Sequence, residues 1–211
     1  MKTIIFDFDG TLLDSRKRHK LVLHDILKND YNILLEEQEL EKFFTYKTDG
    51  NNTFSYLTKK LKLSEIISRE VTEKWIKNIE SLHYLKSDKL YFDSFDMVKE
   101  LSSDYKFIMI SARKSESFLI KQLKSHNLFD FFYEIVCVNP FDAANSKKNV
   151  LLNLESPILF VGDTEADYEA AVHFGIPFYA LNRGFRSKKF WDLKNIISHD
   201  SLFEIKNYIK K

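Results

Sequence analysis

Cysteine, proline and glycine are all scarce in this 211-residue chain, and each scarcity narrows what the protein can be. The one cysteine, Cys137, rules out an internal disulfide. Its setting, Glu134-Ile135-Val136-Cys137-Val138, reads as a buried strand in which the thiol is a small apolar filler. With three prolines and five glycines there are few obligatory turns, which favours helices joined by short loops. Net charge is nearly absent as well. Lys and Arg number 32 against 31 Asp and Glu, and this balance removes the simplest argument for nucleic acid or an anionic membrane as a partner. No apolar run approaches the roughly 18–20 residues of a membrane helix. The chain enters a strand pattern at Thr3-Ile4-Ile5-Phe6 without the segments of a signal peptide, so the expectation is a cytoplasmic protein.

What the chain does have is enough apolar material, 44% of residues, to build a substantial core. Short runs rich in β-branched and aromatic residues recur at Thr3–Phe8, Phe107–Ile110, Ile135–Val138, Ile158–Val161 and Phe178–Ala180. Runs apolar on both faces suit a parallel sheet covered by helices. The segments between them carry helical stripes, such as Phe95-Val98-Leu101, Phe118-Leu119-Leu123 and Val150-Leu151-Leu154. These features predict a doubly wound α/β sheet with crossover connections. About a hundred residues separate the first strand from the second, and from Ser15 to Leu85 only helical stripes are found, with breaks at Asn29-Asp30, Thr48–Asn52 and Leu63-Ser64. An all-helical unit is therefore inserted after the first strand, with Tyr84–Asp88 as the return linker.

The chemistry is concentrated at the ends of the strands. Phe6-Asp7-Phe8-Asp9-Gly10-Thr11-Leu12 sets two carboxylates directly after an apolar strand, where desolvation and mutual repulsion call for a cation. A second acidic group, Gly162-Asp163-Thr164-Glu165-Ala166-Asp167, follows the strand at Ile158–Val161. Thr164 and Asp167 have the spacing of a capping box, which leaves Asp163 without a structural purpose. Together these acids supply the hard oxygen ligands that suit Mg²⁺. Ser111 ends the strand at Phe107–Ile110 and, with Ala112 and Arg113, reads either as an ordinary helix cap or as an anion site at a helix N-terminus. Lys147 and Lys148 precede the helical stripe Val150–Leu154, either as a solvated pair or as a cation for the site.

The order carboxylate pair, hydroxyl, lysine, carboxylate, each after a strand, resembles the haloacid dehalogenase-like hydrolases, and the likeness runs over nearly the whole chain. Asp7–Thr11 matches the first motif of that family, Ser111 the second, Lys147 or Lys148 the third, and Gly162-Asp163 with Asp167 the fourth. Lys147 is preferred for its spacing to Leu151 and Leu154. The resemblance, to the phosphoglycolate phosphatase-like and β-phosphoglucomutase-like branch, implies a Rossmann-like α/β core over residues 1–14 and 86–211 and an inserted all-helical cap domain over residues 15–85. It implies Asp7 as nucleophile and Asp9 as general acid and base, a role for which Asp9 must be protonated when substrate arrives. It further implies Mg²⁺ held by the Asp7 side chain, the Asp9 carbonyl and Asp163, with Asp167 orienting a ligand water, and the phosphoryl oxygens bound by Ser111, the Ala112 amide and Lys147.

The activity implied is Mg²⁺-dependent hydrolysis of a small phosphorylated metabolite through an aspartyl-phosphate. Two alternatives share the motifs: a phosphomutase of the β-phosphoglucomutase type, and a non-catalytic sugar-phosphate-binding protein. A phosphonatase would want a reactive cap lysine, and in sequence no cap lysine stands apart from surface charge. Candidate substrate contacts are Arg16, His19, Lys20, Lys47, Thr48, Asn51 and Asn52 in the insert and the loop Asn182–Arg186, although for each of them solvated surface is the favoured reading.

Overall fold

The computed structural model describes residues 1–155 and 157–209. Along the chain, β1 (Lys2–Phe6) is followed by a tight turn and the two-residue β2 (Leu13–Asp14). Five helices come next: α1 (Arg16–Tyr31), α2 (Glu37–Thr48), α3 (Thr53–Lys59), α4 (Glu65–Asn78) and the short α5 (Leu82–Leu85). β3 (Lys89–Leu90) pairs antiparallel with β2 and ties together the two ends of the helical insert. Helices and strands then alternate through α6 (Ser94–Leu101), β4 (Tyr105–Ser111), α7 (Glu116–Ser125), β5 (Phe132–Cys137), α8 (Ala143–Leu151) and β6 (Leu159–Gly162). The chain ends through α9 (Glu165–His173), β7 (Phe178–Leu181), α10 (Lys188–Asp192), β8 (Ser198–His199) and α11 (Ile205–Ile209). No described helix is long and apolar enough to cross a membrane.

Six strands form one parallel sheet in the order β5-β4-β1-β6-β7-β8. The order reverses at β1, because the chain builds outward to β5 and then crosses to β6 on the other side. Ligand sites in sheets of this kind form beyond the strand carboxyl ends at such a reversal, and here those are the ends of β1, β4 and β6. The period of two in β1 separates the layers. Ile4 and Phe6 pack with Phe107 and Met109 against Met97 and Val98 of α6 and Leu119 and Leu123 of α7. Ile5 faces the opposite layer, with Ile108, Ile110 and Phe160 against Leu151, Ala170, Ala171 and Trp191. The insert has an apolar centre of its own, in which Val22, Leu23, Leu27, Phe43, Leu57 and Val71 are buried together.

Several sequence expectations change in detail. The first strand stops at Phe6 rather than Phe8, because the amides of Thr11, Leu12 and Leu13 all turn back onto the Phe8 carbonyl. The strand predicted at Ile135–Val138 starts at Phe132, and its Cys137 is only partly buried. The two-residue strands β2, β3 and β8 are too short to show a periodic pattern. The first helix continues past Asn29-Asp30 and ends at Asn32, whose left-handed φ of 55° terminates it. Lys147 and Lys148 lie inside α8 rather than ahead of a helix, because α8 opens at Ala143, straight after a 3-10 turn at Pro140–Asp142. Ser111 is the last residue of β4 and caps no helix; α7 begins at Glu116, with the Ser115 side chain accepting from the Phe118 amide.

Candidate active site

Asp7 leaves β1 with its amide donating to the Val161 carbonyl of β6 at 2.9 Å, so the first carboxylate is fixed where β1 and β6 diverge. The chain then reverses at Gly10, whose φ of 81° disfavours any side chain. This turn carries Thr11 back over the site. Its hydroxyl donates to Asp163 Oδ1 at 3.2 Å and reaches Asp7 Oδ2 at 3.4 Å. Asp163, the first residue after β6, packs so closely on the turn that a Cβ at either Gly10 or Gly184 would overlap its Oδ2. The Phe185 amide donates to that same oxygen at 2.5 Å.

Asp7, Asp163 and Asp167 each place a carboxylate oxygen within 4.8 Å of the others, and all three residues are buried. Lys147, itself 1% exposed, donates to Asp7 Oδ1 at 2.8 Å and to Asp167 Oδ1. The other oxygen of Asp167 accepts from the amide and hydroxyl of Thr164 at 3.0 and 2.7 Å, which completes the capping box of α9. Three carboxylates with one ammonium leave the cluster short of positive charge. Burial pushes Asp7 up to about 7, with the Asp167 charge adding to the rise and Lys147 opposing it. Burial and the charges of Asp7 and Asp167 push Asp163 well above the usual carboxylate range. In the other direction, burial would strip Lys147 of its proton, but Asp167 and Asp7 outweigh it and hold the ammonium charged. A buried, oxygen-only set with net negative charge fits a hard divalent cation.

Asp9 does not join this cluster. Its carboxylate turns toward two buried arginines: Arg113 Nε and Nη2 donate to it at 2.5 and 2.9 Å, and Arg18 of α1 pairs with Oδ1. Burial favours the neutral acid, yet Arg113 and Arg18 outweigh it and hold Asp9 ionised, below the usual carboxylate range. The sequence expectation of a protonated Asp9 is therefore reversed in this arrangement. Behind the pair, Arg113 Nη1 donates to Gln122 Oε1 at 2.5 Å, and Gln122 Nε2 donates to Asp88 Oδ2 at 2.9 Å. Asp88 also stands 3.3 Å from Arg18 Nε, which makes a charge-balanced group of two arginines and two aspartates.

Above the strand ends lie two adjoining cavities of about 320 and 510 Å³, which share His19, Trp75, Ala112 and Phe185. Asp9, Arg18 and Arg113 line the first; Lys47, Thr164 and Arg186 line the second. Lys47 is half-buried with its ammonium turned inward, 4.1 Å from the Trp75 ring centroid and 3.2 Å from His19 Nδ1. The turn after α2 touches the core here, with the Ser187 amide donating to the Thr48 carbonyl at 3.0 Å.

Of the remaining sequence candidates, Asn51, Asn52, Phe185 and Arg186 also line the second cavity, whereas Arg16, Lys20 and Thr48 line neither. Arg16 pairs with Asp14, and Lys20 with Glu37 and Glu41, on the surface. Asn52 caps α3, Asn51 donates to the Tyr46 carbonyl, and the Thr48 hydroxyl donates to the Thr45 carbonyl. In the loop Asn182–Arg186, Arg183 pairs with Asp93 and Arg186 with Glu165. Sequence reasoning missed Arg18, Asp88 and Gln122, which carry no motif signal; their only mark is a charged or polar residue on the apolar face of a helix or at the return from the insert.

Residues 4–181 match the profile of the haloacid dehalogenase-like hydrolase family. A phosphoglycolate phosphatase of Aquifex aeolicus is 29% identical over 187 residues, covering 83% of this chain and 82% of its own. Among solved structures, a candidate phosphatase from Clostridium difficile superposes with a TM-score of 0.79 at 19% identity, over 99% of this chain and 98% of its own. A candidate hydrolase of the same family from Bacillus subtilis, solved bound to magnesium, gives a TM-score of 0.65 at 20% identity, over 100% and 99%. At such identities the structural likeness establishes the shared fold.

Proposed function

The chain belongs to the haloacid dehalogenase-like hydrolases and is a phosphatase, and on that footing we propose that it hydrolyses the phosphomonoester of a small metabolite, with Mg²⁺, through a phosphoryl group carried on Asp7. The observation that carries this reading is the convergence of Asp7, Asp163 and Asp167 around Lys147. A relative named for phosphoglycolate and a fold neighbour bound to magnesium support it.

Asp7 is the nucleophile. An Asp7 oxygen attacks phosphorus, the ester P–O bond breaks, and the leaving alkoxide takes a proton from Asp9. In the second step Asp9 removes a proton from water, which attacks phosphorus, and Asp7 is freed as phosphate departs. Asp7, Asp163 and the Asp9 carbonyl would hold Mg²⁺, which would supply positive charge to offset the buried carboxylates and the phosphoryl oxygens. Lys147, Ser111 and the Ala112 amide bind phosphoryl oxygens, where charge is spread in the transition state. Asp167 acts on the cluster through Lys147 and the capping box. The pairing of Asp9 with Arg18 and Arg113 keeps it ionised, as the second step requires, but weakens it as a base. To act as acid in the first, Asp9 has to give up one arginine, and Arg18 lies on α1 of the insert, which we propose is a cap over residues 15–85 that moves relative to the core.

The test is phosphate release by purified protein from a panel of phosphorylated metabolites, with and without Mg²⁺. Release that requires Mg²⁺ and disappears in Asp7→Asn is the expected result. Release only when a sugar bisphosphate is added would make the protein a mutase, and no release from any ester would overturn the reading.

A further inference from the structure

Buried and half-buried charges around the two cavities are met by ion pairs or, for Glu80, by the amides of Lys114 and Ser115, with two exceptions among the described residues. Arg18 and Arg113 are matched by Asp9 and Asp88, Arg183 by Asp93, and Arg186 by a two-point contact to Glu165. The first exception is the acidic cluster, which lacks positive charge. The second is Lys47, which lacks negative charge: no described carboxylate lies within ion-pair reach of its ammonium.

The surroundings of Lys47 are those of a binding group awaiting an anion. Its Nζ is 4.1, 5.5 and 5.8 Å from the ring centroids of Trp75, Phe43 and Phe185. Its polar contact is with His19, whose buried imidazole is held neutral by burial and then by the Lys47 charge itself, so that Nδ1 accepts from the ammonium. The other charges acting on Lys47 are the cations Arg186 and Arg18, which together with burial pull it down to about 7. Aromatic walls stabilise an ammonium but do not neutralise it. A cation kept in such a place without an acid is costly unless something anionic completes it.

Phe185 links the two exceptions. Its amide is bonded to Asp163 and its ring is one wall of the Lys47 cage, so a single residue spans from the acidic cluster to the unmatched cation. A phosphoryl group over Asp7 leaves the alcohol portion of the substrate for the cavity that Lys47 lines beside Ala112 and Thr164. With one ammonium, one of its donors occupied by His19 and no arginine free, this end matches a planar monoanion better than a second phosphate, which needs more donors and more charge.

We propose that Lys47 is a specificity-determining residue that binds a carboxylate on the alcohol side of the substrate, so that the preferred substrates are phosphomonoesters of short hydroxy acids. The proposal rests on the phosphatase reading above and names its substrate class.

The experiment compares kcat/KM for phosphoglycolate with that for phosphoglycolamide, nearly isosteric esters that differ in the carboxylate charge, in wild type, Lys47→Met and Lys47→Arg with Mg²⁺ present. Wild type should favour the carboxylate ester, Lys47→Met should lower the ratio about 10–100-fold, the range of a charged hydrogen bond, and Lys47→Arg should restore part of it. Met keeps the bulk of the stem inside the cage, so a merely structural lysine would leave the ratio unmoved, and that result overturns the proposal. Should Lys47→Met fail to fold by circular dichroism, the wild-type ratio decides alone, and a value near one is fatal. Release from p-nitrophenyl phosphate with neither metabolite ester turned over also overturns it. No release from any of the three removes the phosphatase reading and this inference with it, so the two failures are distinguishable.

Discussion

Lys147 Nζ lies 2.8 Å from Asp7 Oδ1 and donates on its other side to Asp167, whereas Lys148, its neighbour in α8, makes neither contact. One helical step decides the matter, because adjacent residues on a helix point about 100° apart and only one of the pair can face the strand ends. Lys147→Ala should lower kcat about 10²–10³-fold, the typical effect of losing one charge-stabilising donor, with the fold retained by circular dichroism. Lys148→Ala should stay within about twofold of wild type. Steady-state kinetics on both variants check this, and equal losses would contradict it.

Gly184 is held against Asp163 by space alone. A Cβ there would overlap Asp163 Oδ2 and the Gly10 backbone, so Gly184→Ala must displace the carboxylate proposed to hold the metal. Half-saturation by Mg²⁺ should rise about tenfold or more, as for other changes to residues that orient a metal ligand. A titration of phosphate release against Mg²⁺ reads this directly, and an unchanged midpoint would show that Asp163 does not set metal affinity.

The role assigned to Asp9 depends on the leaving group. An alkoxide needs a proton as the P–O bond breaks, and p-nitrophenolate does not. Asp9→Asn should therefore lower the rate with an alkyl phosphate about 10²–10⁴-fold and with p-nitrophenyl phosphate distinctly less. Equal losses on the two esters would assign Asp9 to positioning through Arg18 and Arg113 rather than to proton transfer.

An unmatched cation should leave a trace in stability. Lys47 has its folded value lowered from 10.5 to about 7, so between those limits the folded protein binds fewer protons than the unfolded chain, and its contribution to stability rises with pH. Lys47→Met lacks this dependence. Its melting temperature relative to wild type should be most favourable near neutral pH and should decline as pH approaches 10, measured as a series of thermal melts. A difference that does not vary with pH would show that Lys47 is solvated.

Much of this was legible in the sequence because the strands are apolar on both faces and the acids follow them directly. Asp7 and Asp163 stood out since nothing local explains a carboxylate at the buried end of a strand. The helical insert was visible from helical stripes, with no strand pattern among them, between Ser15 and Leu85. What stayed hidden depends on tertiary contacts. Asp9 reads as a partner of Asp7 in sequence, yet it turns to Arg113, about a hundred residues away, and to Arg18 on α1. Lys47 looked like any surface lysine until the fold set it beside Trp75, His19 and Phe185 with no acid in reach. Of the two readings open for Ser111, the helix cap falls away because Ser115, four residues on, performs that function.

Trapping the phosphoryl group on Asp7 tests the proposed mechanism at its nucleophile. Wild-type protein turning over a phosphomonoester with Mg²⁺ is quenched and reduced with borohydride, which converts an aspartyl-phosphate to homoserine, and the digest is read by mass spectrometry. Homoserine is expected at position 7, dependent on substrate and absent in Asp7→Asn. Homoserine at another aspartate, or none in a sample that is releasing phosphate, would contradict that mechanism.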